Sequence, residues 1–309
     1  MRSLITLLLA LVSAGALVAK PLTVGFAQTG AESAWRTANT TSMKAEAERR
    51  GIVLKFADGQ GRQENQIRAV HSFIAQGVDA IVIAPIVETG WEPVLRAAKQ
   101  AGIPVIITDR TIKVSDDTLY ACFVGSDFLQ EGRMAAEWLV RRTGGKGRIL
   151  ELQGTPGSAP ANDRRKAFAE VIAQHPGLTI LDSQSGDFRR SGGKEVMEAL
   201  LKKHGHNFDI VYAHNDDMAL GALQAIEEAG LKPGKDVVVL SIDAIREAIQ
   251  AVADGRISCT VECNPLFGPK VYDLVAKVVA GQTVARMQYN HDELFDQTNA
   301  AAVLPSRQY

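Results

Sequence analysis

From Leu22 onward the chain alternates two kinds of segment. Short apolar runs rich in β-branched residues predict strands at 22–26, 53–57, 80–84, 104–108, 121–124, 148–152, 179–183, 210–214, 237–242 and 259–261. Between them, apolar positions recur at helical spacing and predict helices at 34–50, 64–76, 91–101, 128–142, 163–175, 191–203, 217–229, 245–253 and 266–280. Many of these segments end at a glycine: Gly51, Gly77, Gly102, Gly144, Gly177, Gly205, Gly230, Gly255 and Gly281. Glycine tolerates the left-handed conformation just past a helix end, so this punctuation supports the helices independently of the apolar pattern.

Apolar strands separated by helices predict parallel sheets covered on both faces, because each crossover lays a helix on the sheet. The number of strands exceeds one mononucleotide-type lobe and suits two lobes of about five strands each. The expected fold class is therefore α/β, with two doubly wound parallel-sheet lobes. No stretch rich in proline, serine or charge marks a flexible linker, so short crossing segments should join the lobes. Repeats of solenoid period and low-complexity tracts are not visible.

The first segment, MRSLITLLLALVSAGALVAKP, places Arg2 before an apolar run from Leu4 to Val12, followed by small residues. This is the layout of an export signal, so residues 1–19 are expected to be a signal peptide cleaved after Ala16 or Ala19. A membrane span needs about 20 apolar residues, whereas this run breaks at Ser13 and Gly15. The small-residue region has no cysteine to carry a lipid anchor. A freely diffusing exported protein is expected.

Composition narrows the function. The chain has 309 residues, a prior for two domains at about 150 residues each. Its 34 Lys and Arg against 35 Asp and Glu leave no broad electrostatic footprint for nucleic acid or an anionic membrane. Affinity must come from a local site. The cysteines are Cys122, Cys259 and Cys263, an odd number and not a disulfide framework. Cys259 and Cys263 share or flank one predicted strand, where four residues span roughly 13 Å, beyond the reach of a disulfide. Buried structural thiols are expected. The histidines are scattered without zinc spacing, so neither a metal nor another cofactor is expected.

In open α/β sheets ligands bind beyond the carboxyl ends of the strands, and here those ends carry the polar chemistry. VGFAQTGAESAWR places Glu32, Ser33, Trp35 and Arg36 after the first strand, and PVIITDR ends the fourth with Asp109 and Arg110. QGTPGSAPANDRRKAF follows a strand and opens a helix with Asp163 and Arg164; SGDF supplies Asp187 and Phe188. VYAHNDD puts Asn215 and Asp216 at a further end, LSIDA adds Asp243, and TVEC adds Glu262. A polyol wants this mixture: carboxylates and amides for hydroxyl groups, guanidinium forks for neighbouring oxygens, aromatic faces for C–H surfaces. Trp35 and Phe188 fall on loops of different lobes, as a clamp on both faces of a ring requires. Each residue also has a plainer reading. Asp163 or Asp217 could simply cap a helix, Asp109 and Arg110 could form a solvated pair, Trp35 and Phe188 could fill the core, and Trp91 reads best as a packing or capping residue.

Enzyme signatures are missing. GFAQTGAESAW lacks the dinucleotide fingerprint, and neither a G-x-S-x-G elbow nor a phosphate loop ending in Gly-Lys-Ser or Gly-Lys-Thr occurs. A binding protein, not an enzyme, is expected.

These segments resemble the type I periplasmic sugar-binding proteins of ABC transporters, in the ribose-binding class. The likeness runs through the whole mature chain and is carried by Asp109-Arg110, QGTPGSAPANDRRKAF, SGDF, HNDDMALGALQAI and SIDA. It is strongest toward galactofuranose binders, through ADGQGRQENQIRAVHSFIAQGVDAIVIAPIVETGWEPVL, SQSGDFRRS and AHNDDMALGALQAIEEAGLKPGKD. The resemblance implies two lobes of Venus-flytrap type joined by three hinge crossings: residues 20–125 with 263–291, and residues 126–262 with 292–309.

It also implies a monosaccharide ligand, most specifically galactofuranose, held by ten residues. Asp109 and Arg110 would bond hydroxyls from the first lobe, and Arg164, Asn215, Asp243 and Glu262 from the second lobe and hinge. Trp35 and Phe188 would stack, while Glu32 and Arg36 would complete the ligand edge. Arg36 and Glu262 depart from the ribose-binder pattern and favour a ligand with more hydroxyls or other ring decoration. The implied partners are an ABC permease and, through it, its ATPase, with the binding protein a monomer. A sensor lobe presenting a sugar to a chemoreceptor or kinase is the alternative, as is a binder of ribose, arabinose or another polyol. Lac-type repressors would need a helix-turn-helix where the export signal stands. Calcium-carrying glucose and galactose binders would need an EF-like loop that the sequence lacks.

Overall fold

The computed structural model describes residues 20–309, so the predicted signal and both cleavage positions lie outside the described residues. The chain begins with β1 (Thr23–Gln28), α1 (Ala34–Arg49), β2 (Val53–Asp58), α2 (Gln63–Ala75) and β3 (Ala80–Ile83). It continues through α3 (Glu92–Gln100), β4 (Val105–Thr108) and β5 (Cys122–Gly125). Then follow α4 (Phe128–Thr143), β6 (Gly147–Gln153), α5 (Ala159–Ile172), β7 (Leu178–Ser185), α6 (Arg190–His204) and β8 (Ile210–Ala213). The remainder comprises α7 (Asp216–Glu228), β9 (Val238–Asp243), α8 (Arg246–Ala253), β10 (Cys259–Glu262), α9 (Gly268–Val279), β11 (Met287–Tyr289), β12 (Leu294–Asp296) and α10 (Ala300–Val303).

The strands form two sheets, ordered β11-β5-β4-β3-β1-β2 and β12-β10-β9-β8-β6-β7. All pairs are parallel except β10 with β12. Central strands are apolar throughout because both faces are covered. In β3, Ala80 and Val82 join one core cluster, while Ile81 and Ile83 join another with Phe73, Trp91 and Leu95. Burying each such large side chain contributes about 1.5–3 kcal/mol. Trp91 is fully buried at the head of α3 and donates its indole N–H to the Val87 carbonyl at 2.7 Å, the packing role expected of it.

The chain passes between sheets after β5, after β10 and between β11 and β12, three crossings in all. The crossings touch. Asp292 on the third accepts from the Asn264 backbone N–H on the second at 3.3 Å, and Asn290 N–H reaches the Gly125 carbonyl at 2.8 Å.

The ten predicted strands and nine long helices all form, with three differences. Strands β11 and β12 add one member to each sheet; they are three residues long and lack the apolar run that betrays a strand. The short α10 was equally silent. Helix α5 begins at Ala159 rather than Asp163, because Ser158 in an extended conformation and a proline in the first turn already start it. Of the nine glycines, all but Gly177 take positive φ. The three cysteines are buried and free, as expected.

Candidate functional site

The first lobe contributes four charged side chains and one indole. Ser33, in extended conformation, caps α1 by accepting the Arg36 N–H at 3.1 Å, which places Trp35 and Arg36 in its first turn. Arg36 is 2% exposed. Its Nε meets Glu32 at 3.0 Å, one Nη meets Gln28 at 3.1 Å and the other meets Asp109 at 2.6 Å. Burial pulls the Arg36 pKa down, but Asp109 and Glu32 carry it above the ordinary arginine value. Arg110 donates to the Ile86 carbonyl at 3.2 Å and to Glu32 at 3.4 Å. Its Nε, 3.6 Å from Asp109, has no hydrogen-bond acceptor. Burial and then repulsion by Arg36 push its pKa down, so Arg110 is the under-satisfied cation of this lobe.

The second lobe answers with Arg164, Phe188, Asn215 and Asp243. Arg164 Nε pairs with Glu131 at 2.7 Å and one Nη donates to the His214 carbonyl at 2.6 Å. The other Nη lies 3.8 Å from Asp243. Asn215 caps α7, accepting the Met218 N–H at 3.1 Å, while its amide donates to the Phe188 carbonyl at 3.2 Å. Burial raises the Asp243 pKa well above the carboxylate range; Arg164 opposes this and Asp216 adds to it. The Phe188 ring occupies space that only a glycine at 154 leaves open, since a Cβ there would lie 1.9 Å from it. That ring sits between guanidiniums from the two lobes, 5.2 Å from Arg110 and 6.0 Å from Arg164.

Six non-glycine residues among those described adopt positive φ, and three of them are Asp109 (63°), Phe188 (60°) and Asp243 (127°). Such conformations cost about 1–3 kcal/mol each and persist where the surroundings over-determine them. Here the surroundings are the strand ends facing the cleft.

The lobes are closed on one another. The Ala34 N–H donates to Asp217 of the other lobe at 2.7 Å, and the Glu88 N–H donates to the Gly157 carbonyl at 3.0 Å. Asn162 reaches the Glu88 carboxylate at 2.6 Å, which Lys113 also contacts at 2.8 Å. Between the closed lobes remains a cavity of about 30 Å³ lined by Glu32, Ser33, Trp35, Arg36, Asp109, Arg110, Pro160, Arg164, Phe188, Asn215, Asp243 and Cys263.

Comparison with known proteins places this architecture. The periplasmic binding protein domain family matches residues 24–283. The galactofuranose-binding protein YtfQ of Escherichia coli K12 is 54% identical over 263 residues, covering 84% of this chain and 83% of that protein. The chain belongs to the periplasmic binding protein family. Two solved structures are also similar. The periplasmic component of the arabinose ABC transporter of Shewanella sp. ANA-3, bound to α- and β-L-arabinofuranose, is 51% identical with a TM-score of 0.90, covering 93% of this chain and 95% of that one. A Mycobacterium smegmatis protein in complex with β-D-fucofuranose is 52% identical with the same TM-score and the same two coverages, 93% and 95%.

Against this periplasmic-binding-protein frame, nine of the ten predicted site residues converge on the cavity: Glu32, Trp35, Arg36, Asp109, Arg110, Arg164, Phe188, Asn215 and Asp243. Glu262 does not. Its carboxylate turns to the chain's last turn, accepting from Arg307 at 2.6 Å and from the Tyr309 hydroxyl at 2.9 Å, so the expected hinge contact is corrected to a tail contact. Sequence could not show partners forty-odd residues downstream. Its neighbour Cys263 lines the cavity instead, and its carbonyl accepts the Trp35 indole N–H at 2.5 Å. Pro160 and Cys263 carry no polar strand-end signal and were missed. Ser33, a strand-end polar residue outside the ten expected at the site, also lines the cavity. Asp217 is no cap; it ties the lobes together.

Proposed function

We propose that this chain is the substrate-binding protein of an ABC sugar transporter, capturing one furanose, galactofuranose before others, between its closing lobes. The observation that carries the reading is the lining itself. Three guanidiniums, three carboxylates, an amide and two aromatic rings, drawn from both lobes, line one cleft. Such a set suits an uncharged polyol: forks and carboxylates for hydroxyls, rings for the sugar's C–H faces. That the similar proteins named above bind furanoses supports the ring form. The relatives are binding proteins, and the role is capture rather than catalysis.

The working units are residues 20–125 with 263–291 and residues 126–262 with 292–309. Ligand favours the closed form because only that form brings both lobes' polar groups to it. The protein would be exported by a signal at residues 1–19, act as a monomer in the periplasm, and deliver its sugar to a membrane permease driven by its ATPase.

The test is a thermal-shift panel of D-galactose, L-arabinose, D-ribose, D-fructose and myo-inositol. A ligand at a hundredfold excess over its dissociation constant stabilises by about 2.7 kcal/mol. The expected outcome is a shift with furanose-forming sugars and, by X-ray scattering, a smaller radius of gyration at saturation. An unshifted panel would refute sugar capture, and an unchanged radius would refute closure.

A further inference from the structure

One buried carboxylate beside Arg164 is not among the residues that line the cavity. Glu131 is on α4, just past the first hinge crossing, and 1% exposed. Gly132 lets α4 approach α5 so closely that a Cβ at that position would lie 2.5 Å from the Arg164 carbonyl. This close approach puts Glu131 Oε2 2.7 Å from Arg164 Nε. With Nε held by Glu131 and one Nη by the His214 carbonyl, the planar guanidinium is fixed at two points. Its second Nη is left on the side of Asp243 and the cavity.

We infer that Glu131 is the positioning residue for sugar capture: its negative charge aims Arg164, so affinity follows the ionisation of a group that never meets the sugar. This rests on the reading of Arg164 as a sugar ligand. A charge-assisted hydrogen bond is roughly twice as strong as a neutral one, and a bidentate donor delivers its affinity only when its plane is preset. Neutral Glu131 still fills the space but holds Arg164 less firmly.

The surroundings make that ionisation responsive near neutrality. Glu131 faces Arg164 on α5, Asp243 at the end of β9, Cys263 and Asp292 on the second and third crossings, and Tyr212 on β8. Its Oε1 is buried without a hydrogen-bond partner. Burial lifts its pKa to about 7; Arg164 pulls against this and Asp292 adds to it. Falling pH therefore discharges Glu131, and affinity falls with it.

The experiment is calorimetry with D-galactose on the mature full-length protein, unaltered and as Glu131→Gln and Arg164→Ala. Unaltered protein should bind about tenfold more weakly at pH 6 than at pH 8, about 1.4 kcal/mol. Glu131→Gln, an isostere of the protonated acid, should be about tenfold weaker at pH 8, flat with pH, and equal to the unaltered protein at pH 6. A lesion that merely loosens the fold would not converge at low pH. A pH-independent affinity in the unaltered protein, or an unchanged pH slope in Glu131→Gln, overturns the inference while leaving sugar capture standing. Galactose binding retained in Arg164→Ala would overturn it through the site assignment, and no galactose binding by the unaltered protein would remove the galactofuranose reading beneath it.

Discussion

Replacing Asp109 by asparagine tests the first lobe's half of the site with little disturbance of shape. The backbone there has φ of 63°, which Asn tolerates nearly as well as Asp and Ala does not. The exchange leaves Arg36 and Arg110, both buried, facing Glu32 alone. Breaking a buried pair costs about 3–5 kcal/mol. The Asn oxygen still faces Arg36, which lies 2.6 Å from the Asp109 carboxylate, and a neutral contact keeps roughly half the strength of a charged one. The expected loss of folding stability is therefore about 2 kcal/mol. Binding should fall further, since Asp109 also lines the cavity: about 2–5 kcal/mol, as for a desolvated polar contact that loses its partner. That is roughly thirtyfold to a few thousandfold in dissociation constant. Urea unfolding reads the first effect and calorimetry with the sugar selected by the panel reads the second. A variant that loses stability yet binds as tightly as the unaltered protein would falsify the role of Asp109 as a ligand, leaving it a prop for Arg36.

Three further outcomes are expected. Asn162→Asp sets a second carboxylate against Glu88 across the lobe boundary, so the sugar-free protein should scatter as a larger particle and bind about tenfold more weakly, an order-of-magnitude figure for a like-charge contact; an unchanged radius of gyration would refute the latch. Trp35→Ala should weaken binding by about 1–3 kcal/mol and abolish the sugar-induced change in tryptophan emission, because Trp91 and Trp138 stand away from the cavity; a full emission change in that variant would refute the stacking role. Burial raises the pKa of Asp216 to about 7 and of Asp292 to about 6. A raised carboxyl stabilises the fold below its unfolded pKa and loses that contribution as pH climbs through the folded value. Sugar-free protein should thus melt higher at pH 5.5 than at pH 8, opposite to the direction for affinity, and a melting point that rises with pH would refute the assignment.

Most of the fold was legible because a parallel sheet buried on both faces writes an unbroken apolar run, as at Ile81 and Ile83, and glycines mark where helices stop. What escaped was short or non-local. Met287 and Tyr289 in β11 are exposed and carry no run. Helix α5 starts at Ala159, ahead of the expected Asp163, because extended Ser158 and a proline in the first turn already open it. At the site, polar residues at strand ends announced themselves, whereas Glu131 lies in the first turn of a helix and matters only because α5 brings Arg164 to it. Glu262 shows the converse: a strand-end position is not a destination when the tail supplies Arg307 and Tyr309.

The left-handed residues at the cleft bear on how such a protein could change its sugar. Asp109 and Asp243 stand where few side chains other than Asn, Asp and Gly are tolerated, so substitution there is restricted by the backbone before any sugar is consulted. Neighbours on regular helix geometry that hold no buried ion pair, such as Trp35 and Pro160, face no such backbone restriction. New specificities should therefore arise by exchange at the helix starts around a fixed pair of acids. A library confined to those starts would explore ligand space with the least loss of folded protein.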